Sequence, residues 1–279
     1  MLKFLKKNSY ISIGLMLFAL FFGAGNLIFP AFLGQNAGSN LPVAMTGFII
    51  MGVGLPLLGV LVMGYSGAVD LLELSSRAGK VFGVTFTTLL YLTIGPFFAI
   101  PRTGTTTYEL GLSSFFPESS QIVAQAVFLA IFMGLTLWLS ISPNKLVDRI
   151  GTVITPVLLL SMVILIIASL VNPMGSAQAP TELYSTSSTA FSNGLMEGYN
   201  TMDALASVVF AILVIDFVRL TGATSRDVIT KTVMEVGAIA VALLGIVYIF
   251  IANIGATSVE RFGLFDTGAP VLTASADFL

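Results

Sequence analysis

The stretch Phe21-Phe22-Gly23-Ala24-Gly25-Asn26-Leu27-Ile28-Phe29-Pro30 decides how the chain is read. It lies inside residues 8 to 69, which contain no charged side chain. A bilayer needs about 20 apolar residues per helix, so this run holds two membrane spans and the quoted residues fall within the first. An unbroken helix avoids two glycines, an asparagine and a proline at that depth, because glycine costs backbone entropy and proline has no N–H to donate. The spacing therefore predicts a helix broken there. Backbone that leaves helical geometry inside a bilayer must be buried in protein or line a watery cavity, so the break marks a site. Pro30 gives no hydrogen bond to the Asn26 carbonyl, which leaves that oxygen free to coordinate a cation. Met1 to Lys7 with the following apolar run into Gly-Ala-Gly also has the outline of a secretory signal peptide. Leu27, Ile28 and Phe29 resume the apolar run at once, which favours an interrupted span.

Working outward, 56% of the 279 residues are hydrophobic and 9% are charged, which excludes a soluble globular domain. Charge-free runs recur at 81–101, 119–144, 150–181 and 236–259. Read with the turn residues, they place spans near 9–34, 41–67, 82–115, 120–141, 150–172, 191–218 and 233–255. With no His and no Cys, the chain has no His or Cys metal site, disulfide, thiol nucleophile or Ser-His-Asp triad. No nucleophile and base occur at a usable spacing, so an enzyme is not expected. A net charge of -2 argues against nucleic acid, since no basic face neutralises phosphates.

Seven spans put Lys3, Lys6, Lys7, Arg77, Lys80, Lys145, Arg149, Arg219, Arg226 and Lys231 on one side of the membrane, and Arg261 on the other. The positive-inside rule then makes the N-terminus cytoplasmic and the Ser/Thr-rich 173–190 loop external. Trp138 falls near the inner end of the fourth span, where an interfacial anchor belongs. Gly47, Gly52, Gly59, Gly64 and Gly67 of the second span read as close-packing positions. Gly268 to Leu279 begins a further apolar stretch.

The sixth span repeats the interruption. Met196-Glu197-Gly198-Tyr199-Asn200-Thr201-Met202-Asp203-Ala204-Leu205 sets two carboxylates, a glycine and an asparagine between apolar flanks. Asn200 and Asp203, three positions apart, resemble a capping box restarting a helix. At each break one half-helix ends in free carbonyls and the next begins with free N–H groups, a negative and a positive pole for the two charged ends of a zwitterion. Interrupted helices at matched places in two halves of opposite orientation mark inverted-repeat transporters. The organisation expected is a five-helix repeat over 1–172, an external loop over 173–190 and an incomplete second repeat over 191–279.

Gly95-Pro96-Phe97-Phe98-Ala99-Ile100-Pro101-Arg102-Thr103-Gly104 lies in the third span. Arg102 reads as a gate or ion-pair residue partnering Glu109, Glu197 or Asp203; direct capture of a substrate carboxylate and snorkelling stay open. Phe97 and Phe98 are read either as the wall of an apolar pocket or as plain core. Asp203, near mid-span, caps the second half-helix, binds an amine or cation, or carries a proton; capping with a secondary role at the site is favoured. Asp216 is expected to pair with Arg219.

The first-span run 22–30, the third-span run 95–103 and the sixth-span run 197–206 together closely resemble the bacterial branched-chain amino acid:cation symporters, the system II leucine/isoleucine/valine carriers. The resemblance extends over all 279 residues. It implies an all-α membrane protein of the leucine-transporter fold, an inverted repeat with discontinuous helices 1 and 6, and uptake of branched-chain amino acids coupled to sodium, or to protons in some members. Apart from that coupling ion it implies no cofactor. Carried over from that fold, Phe22, Gly23, Ala24, Gly25 and Asn26 with Tyr199, Asn200, Thr201 and Asp203 would hold the amino acid's charged groups and the cation, sodium sitting on the Phe22 and Asn26 carbonyls. The branched chain is expected among Phe97, Phe98 and Met202. Residues 23–26 also look like the Gly-x-Gly-Asn of the sodium-coupled neurotransmitter transporters, with the proline one residue sooner. Family members continue through further spans, including an eighth that supplies hydroxyl ligands to sodium, so the chain is expected to be a fragment or truncated product of seven spans and the start of an eighth, needing C-terminal spans for a complete carrier. The expected function is a symporter of the plasma (inner) membrane working by alternating access, its partners an amino acid and the bilayer. The alternatives are another amino acid or a nucleobase as cargo, and a non-transporting remnant.

Overall fold

The computed structural model describes residues 7–141, 155–220 and 225–279, and no strand occurs among them. The first apolar run folds into helix α1 (Lys7–Phe21) and helix α2 (Ala24–Ala37), with Phe22 and Gly23 between them. A 3-10 turn at Gly38–Asn40, where Gly38 adopts φ 48°, leads into α3 (Leu41–Ile49). A π turn at Ile50–Gly54 joins α3 to α4 (Leu55–Ser66). Asp70 accepts the Glu73 N–H at 2.7 Å and caps the short α5 (Leu71–Ser76).

The third apolar run gives α6 (Lys80–Leu92), a π turn at Thr93–Phe97 and α7 (Ala99–Gly111). It is kinked at Gly95, whose φ -81° and ψ -117° fall outside the helical region just before Pro96. There follow α8 (Gln121–Ser140), α9 (Thr155–Val171), α10 (Ser187–Asn200), α11 (Asp203–Leu220), the 37-residue α12 (Arg226–Phe262) and α13 (Gly268–Phe278). Helices α10 and α11 meet at a 41° bend.

The protein is an all-α, multi-pass membrane protein. By length and composition the described residues hold four helical stretches able to cross a membrane, or five with α10 and α11 as one span; Tyr10–Phe21 and Thr155–Val171 are shorter apolar helices. The stretch Ala24–Ser66 takes in α2, the Gly38–Asn40 turn, α3 and α4. Lys3, Lys6, Lys145 and Arg149 of the charge tally, and positions 150–154 of the fifth span, lie outside the described residues.

Four spans build the core. α2 packs on α12, α3 on α10, α4 on α11, and α1 on α12. Leu17, Phe18, Phe48, Met63, Leu244 and Ile251 are fully buried among them. Lipid tails are as apolar as leucine, so helices in a bilayer associate through close packing rather than solvent exclusion. Small residues provide it here. A Cβ on Gly34 would strike the Ala252 backbone, and a Cβ on Gly255 would strike the Ala31 backbone, so α2 and α12 touch main chain to main chain. Gly47 and Gly194 repeat the device between α3 and α10, and Gly52, Gly59 and Gly64 also face neighbouring helices closely. Helix α8 buries none of its residues and α9 buries Thr155 alone.

At the end of α4, Arg77 donates to the Ser66 carbonyl at 3.0 Å and Arg226 donates to the Tyr65 carbonyl, placing positive charge at a helix C-terminus. Asp216 and Arg219 form the expected pair at 3.4 Å.

Candidate functional site

Asn26 stands in the first turn of α2 and its side chain works in two directions. Its Oδ1 accepts the Gly23 N–H at 2.9 Å, which satisfies a donor left free where the helix starts. Its Nδ2 points inward and donates to Asp203 Oδ2 at 2.5 Å and to the Tyr248 hydroxyl. Tyr248 in turn donates to the same Asp203 oxygen at 2.9 Å, and its ring sits edge-on to Phe48 with centroids 5.2 Å apart. The three residues come from α2, α11 and α12 and are 1%, 4% and 0% exposed. A carboxylate deep in apolar surroundings needs such donors.

Asp203 follows Met202, which adopts φ 68°, an uncommon left-handed conformation for a side-chain-bearing residue. Thr201 steadies this turn, donating to the Gly198 carbonyl at 2.8 Å and accepting the Asp203 N–H at 3.4 Å. The capping box expected between Asn200 and Asp203 is not formed. Asn200 donates instead to Glu197 Oε2 at 3.4 Å, while the Asp203 carboxylate turns to the donors on α2 and α12. Two strong buried donors outweigh a local cap.

Arg102 reaches the same turn from α7. Its Nη1 donates to the Asn200 carbonyl at 3.2 Å and its Nη2 approaches the Thr201 carbonyl at 3.5 Å. The guanidinium lies over the rings of Phe98 and Phe29, at 5.1 and 5.5 Å. Its Nε is buried without a hydrogen-bond partner. A Cβ on Gly25 would sit 2.9 Å from Nη2 and 3.3 Å from the Thr201 carbonyl, so glycine is what lets α2 pass beneath the guanidinium. The ion pair expected with Glu109, Glu197 or Asp203 is absent; among the described residues the carboxylate–guanidinium pair is Arg219–Asp216. Carbonyls ending α10 carry a partial negative charge that attracts the guanidinium.

The structure thus brings together Gly23, Gly25, Asn26, Arg102, Asn200, Thr201 and Asp203, with Ala24 and Met202 half-buried in the two turns. Phe22 is buried and stacks on Phe18 at 5.3 Å. Phe97 is 74% exposed; Phe98 reaches the site as an aromatic face for Arg102. Tyr199 and Glu109 are exposed. A cavity of about 200 Å³ opens beside the site, lined by Ile28, Phe29, Phe32, Glu197, Asn200 and Asp266 among others.

Sequence reasoning missed Tyr248 and Phe29. The one signal for Tyr248 was a hydroxyl-bearing ring within the charge-free 236–259 run; Phe29 lies one helical turn beyond Gly25, on the same face. No cluster of three or more Asp, Glu, His or Cys occurs among the described residues, so any cation held here would rely on carbonyl oxygens together with Asp203.

Comparison with known proteins settles the lineage. The family described as "Branched-chain amino acid transport protein" matches residues 6–279. The chain belongs to this family. Among the members it resembles are the branched-chain amino acid permeases BrnQ and BraB of Bacillus subtilis, both 44% identical over 96% of this chain. The branched-chain amino acid permease BrnQ of Lactobacillus delbrueckii is 40% identical over 95%. The chain spans 60% of the length of each of these relatives. No solved structure matches it.

Proposed function

We propose that this chain carries the substrate and cation sites of a secondary active transporter that imports leucine, isoleucine and valine by symport with sodium or protons. The architecture proposed is the leucine-transporter type, an inverted repeat interrupted in spans 1 and 6, set in the plasma membrane with a cytoplasmic N-terminus. Family membership supports the cargo. The observation that carries the site is the buried Asn26–Asp203–Tyr248 cluster, which ties the start of α2 to the start of α11.

The amino acid's carboxylate would face the start of α2 at Gly25, and its ammonium the carbonyls of Asn200 and Thr201. Its branched chain would enter the cavity beside Ile28 and Phe29. Asp203, with the Phe22 and Asn26 carbonyls, would serve the coupling cation. Alternating access would move the bundle of spans 1, 2, 6 and 7 against the remaining helices. Against the apolar wall of Ile28, Phe29 and Phe32 each buried methylene gains about 0.8 kcal/mol, so the three branched-chain substrates should be separated poorly.

The test is uptake of labelled leucine by vesicles containing the full-length protein, with sodium and proton gradients imposed separately. One of the two gradients should drive accumulation that isoleucine and valine inhibit. No accumulation under either gradient would overturn the reading.

A further inference from the structure

The carbonyls of Asn200 and Thr201, proposed above for the substrate's ammonium, already have a cation on them. Nη1 of Arg102 is 3.2 Å from the first and Nη2 is 3.5 Å from the second. We propose that Arg102 is a tethered stand-in for the substrate's ammonium, exchanged when a zwitterion arrives, and that this exchange restricts the site to molecules carrying both an amine and a carboxylate.

Four features support the exchange. The contacts to the carbonyls are long for charge-assisted hydrogen bonds, which run to about 2.7–2.9 Å, so the guanidinium is held loosely. Among the described residues no carboxylate lies within ion-pair distance of it. Its Nε is buried with no partner, an unused donor that a substrate carboxylate would satisfy. It rests between Phe98 and Phe29, and Phe29 lines the cavity beside the site, so a short swing over the rings keeps the cation in aromatic contact while it clears the carbonyls.

The chemistry of selection follows. A zwitterion facing the start of α2 at Gly25, which Arg102 adjoins, offers its carboxylate to the guanidinium as well and its ammonium to the vacated carbonyls, so every charge is matched in the exchange. An amine without a carboxylate must displace Arg102 and give it nothing in return. A carboxylate without an amine draws Arg102 away and leaves both carbonyls, the Thr201 one part-buried, without their cation. Both cost more than the zwitterion does.

The proposal rests on the transport reading above, and the experiment separates the two. Uptake of labelled leucine by the full-length protein is competed with unlabelled leucine and with 3-methylbutylamine, which is leucine without its carboxylate. The unmodified protein should prefer leucine strongly; if it neither takes up nor binds leucine, the transport reading has failed. In Arg102→Cys the amine should gain at least about tenfold on leucine as an inhibitor, a change of about 1.4 kcal/mol. These 279 residues contain no cysteine, so in a full-length protein with any cysteine elsewhere replaced by serine, thiol reagents act at the introduced one. Modification with 2-aminoethyl methanethiosulfonate restores a tethered ammonium and should return the preference toward that of the unmodified protein; methyl methanethiosulfonate, which adds no charge, should not. Phe98→Leu removes one aromatic face at a half-exposed position and should shift the ratio the same way, by a few-fold. A purely structural arginine would depress binding of both compounds and leave their ratio alone. An unchanged ratio in Arg102→Cys overturns the proposal, and where that variant does not reach the membrane an unchanged ratio in Phe98→Leu does so.

Discussion

Tyr248→Phe removes a single oxygen from the centre of the protein. The ring stays, so its edge-on contact with Phe48 at 5.2 Å and the packing of α12 are retained and no cavity of methyl size opens. What disappears is one donor to the Asp203 carboxylate, at 2.9 Å, and one acceptor for Asn26. A hydrogen bond to a charged group contributes about 1.5–3 kcal/mol, so a loss of about 2 kcal/mol is expected. For a chain of this size that lowers a thermal midpoint by roughly 4–8 °C. The measurement is heat-induced loss of the monodisperse, detergent-solubilised protein, compared across Tyr248→Phe, Asp203→Asn and the double variant. If the hydroxyl acts through the carboxylate, then Tyr248→Phe should cost much less once Asp203 is an amide, and the two effects should depart from additivity by about 1–2 kcal/mol. Additivity within about 0.5 kcal/mol, or a midpoint unmoved by Tyr248→Phe, would refute the cluster as drawn.

Two further outcomes are expected. Asn26→Ala should abolish leucine uptake, because Asn26 links Gly23, Asp203 and Tyr248, while immunoblots of isolated membranes should find the protein at its usual level, since insertion follows the apolar length of the span. Gly255→Leu drives a side chain into the Ala31 backbone, which has nowhere to go, and should cost more than about 3 kcal/mol; its size-exclusion profile should collapse, whereas Gly245→Ala, with nothing within 4 Å of the added methyl, should elute normally.

Local features were the ones the sequence made readable. Stretches without charge mark the apolar helices because an ionised side chain is too costly among lipid tails. The gap between α1 and α2 falls on Phe22 and Gly23, inside the run where glycine and proline disfavour a continuous helix. Asp216 and Arg219 are three residues apart, and their pairing needs only helical geometry. Long-range choices were hidden. Asn26 meets Asp203 across 177 positions and Tyr248 across 222, and Arg102 meets Asn200 across 98. No periodicity encodes such distances. Asp203 looked like a cap because a carboxylate three residues after an asparagine fits that local motif; its buried partners on other helices decide otherwise. Arg102 looked like half of an ion pair because carboxylates are the obvious counter-charge, yet the exposed ends of a helix provide a diffuse one. The bend at Gly95 falls on a Gly-Pro step, where glycine tolerates non-helical backbone and proline withholds a donor.

The two halves of the first span are attached to α12 in different ways. Past Gly23, the main chains of α2 and α12 bear on each other at Gly34 and Gly255, a rigid fit with no freedom to slide. Before it, Gly14 of α1 lies under the Ile239 side chain of α12, with the Val236 carbonyl 3.3 Å from a Cβ placed there, and side chains can change rotamer. The break at residues 22–23 thereby separates a half of the span that rests on main chain from a half that rests largely on a side chain.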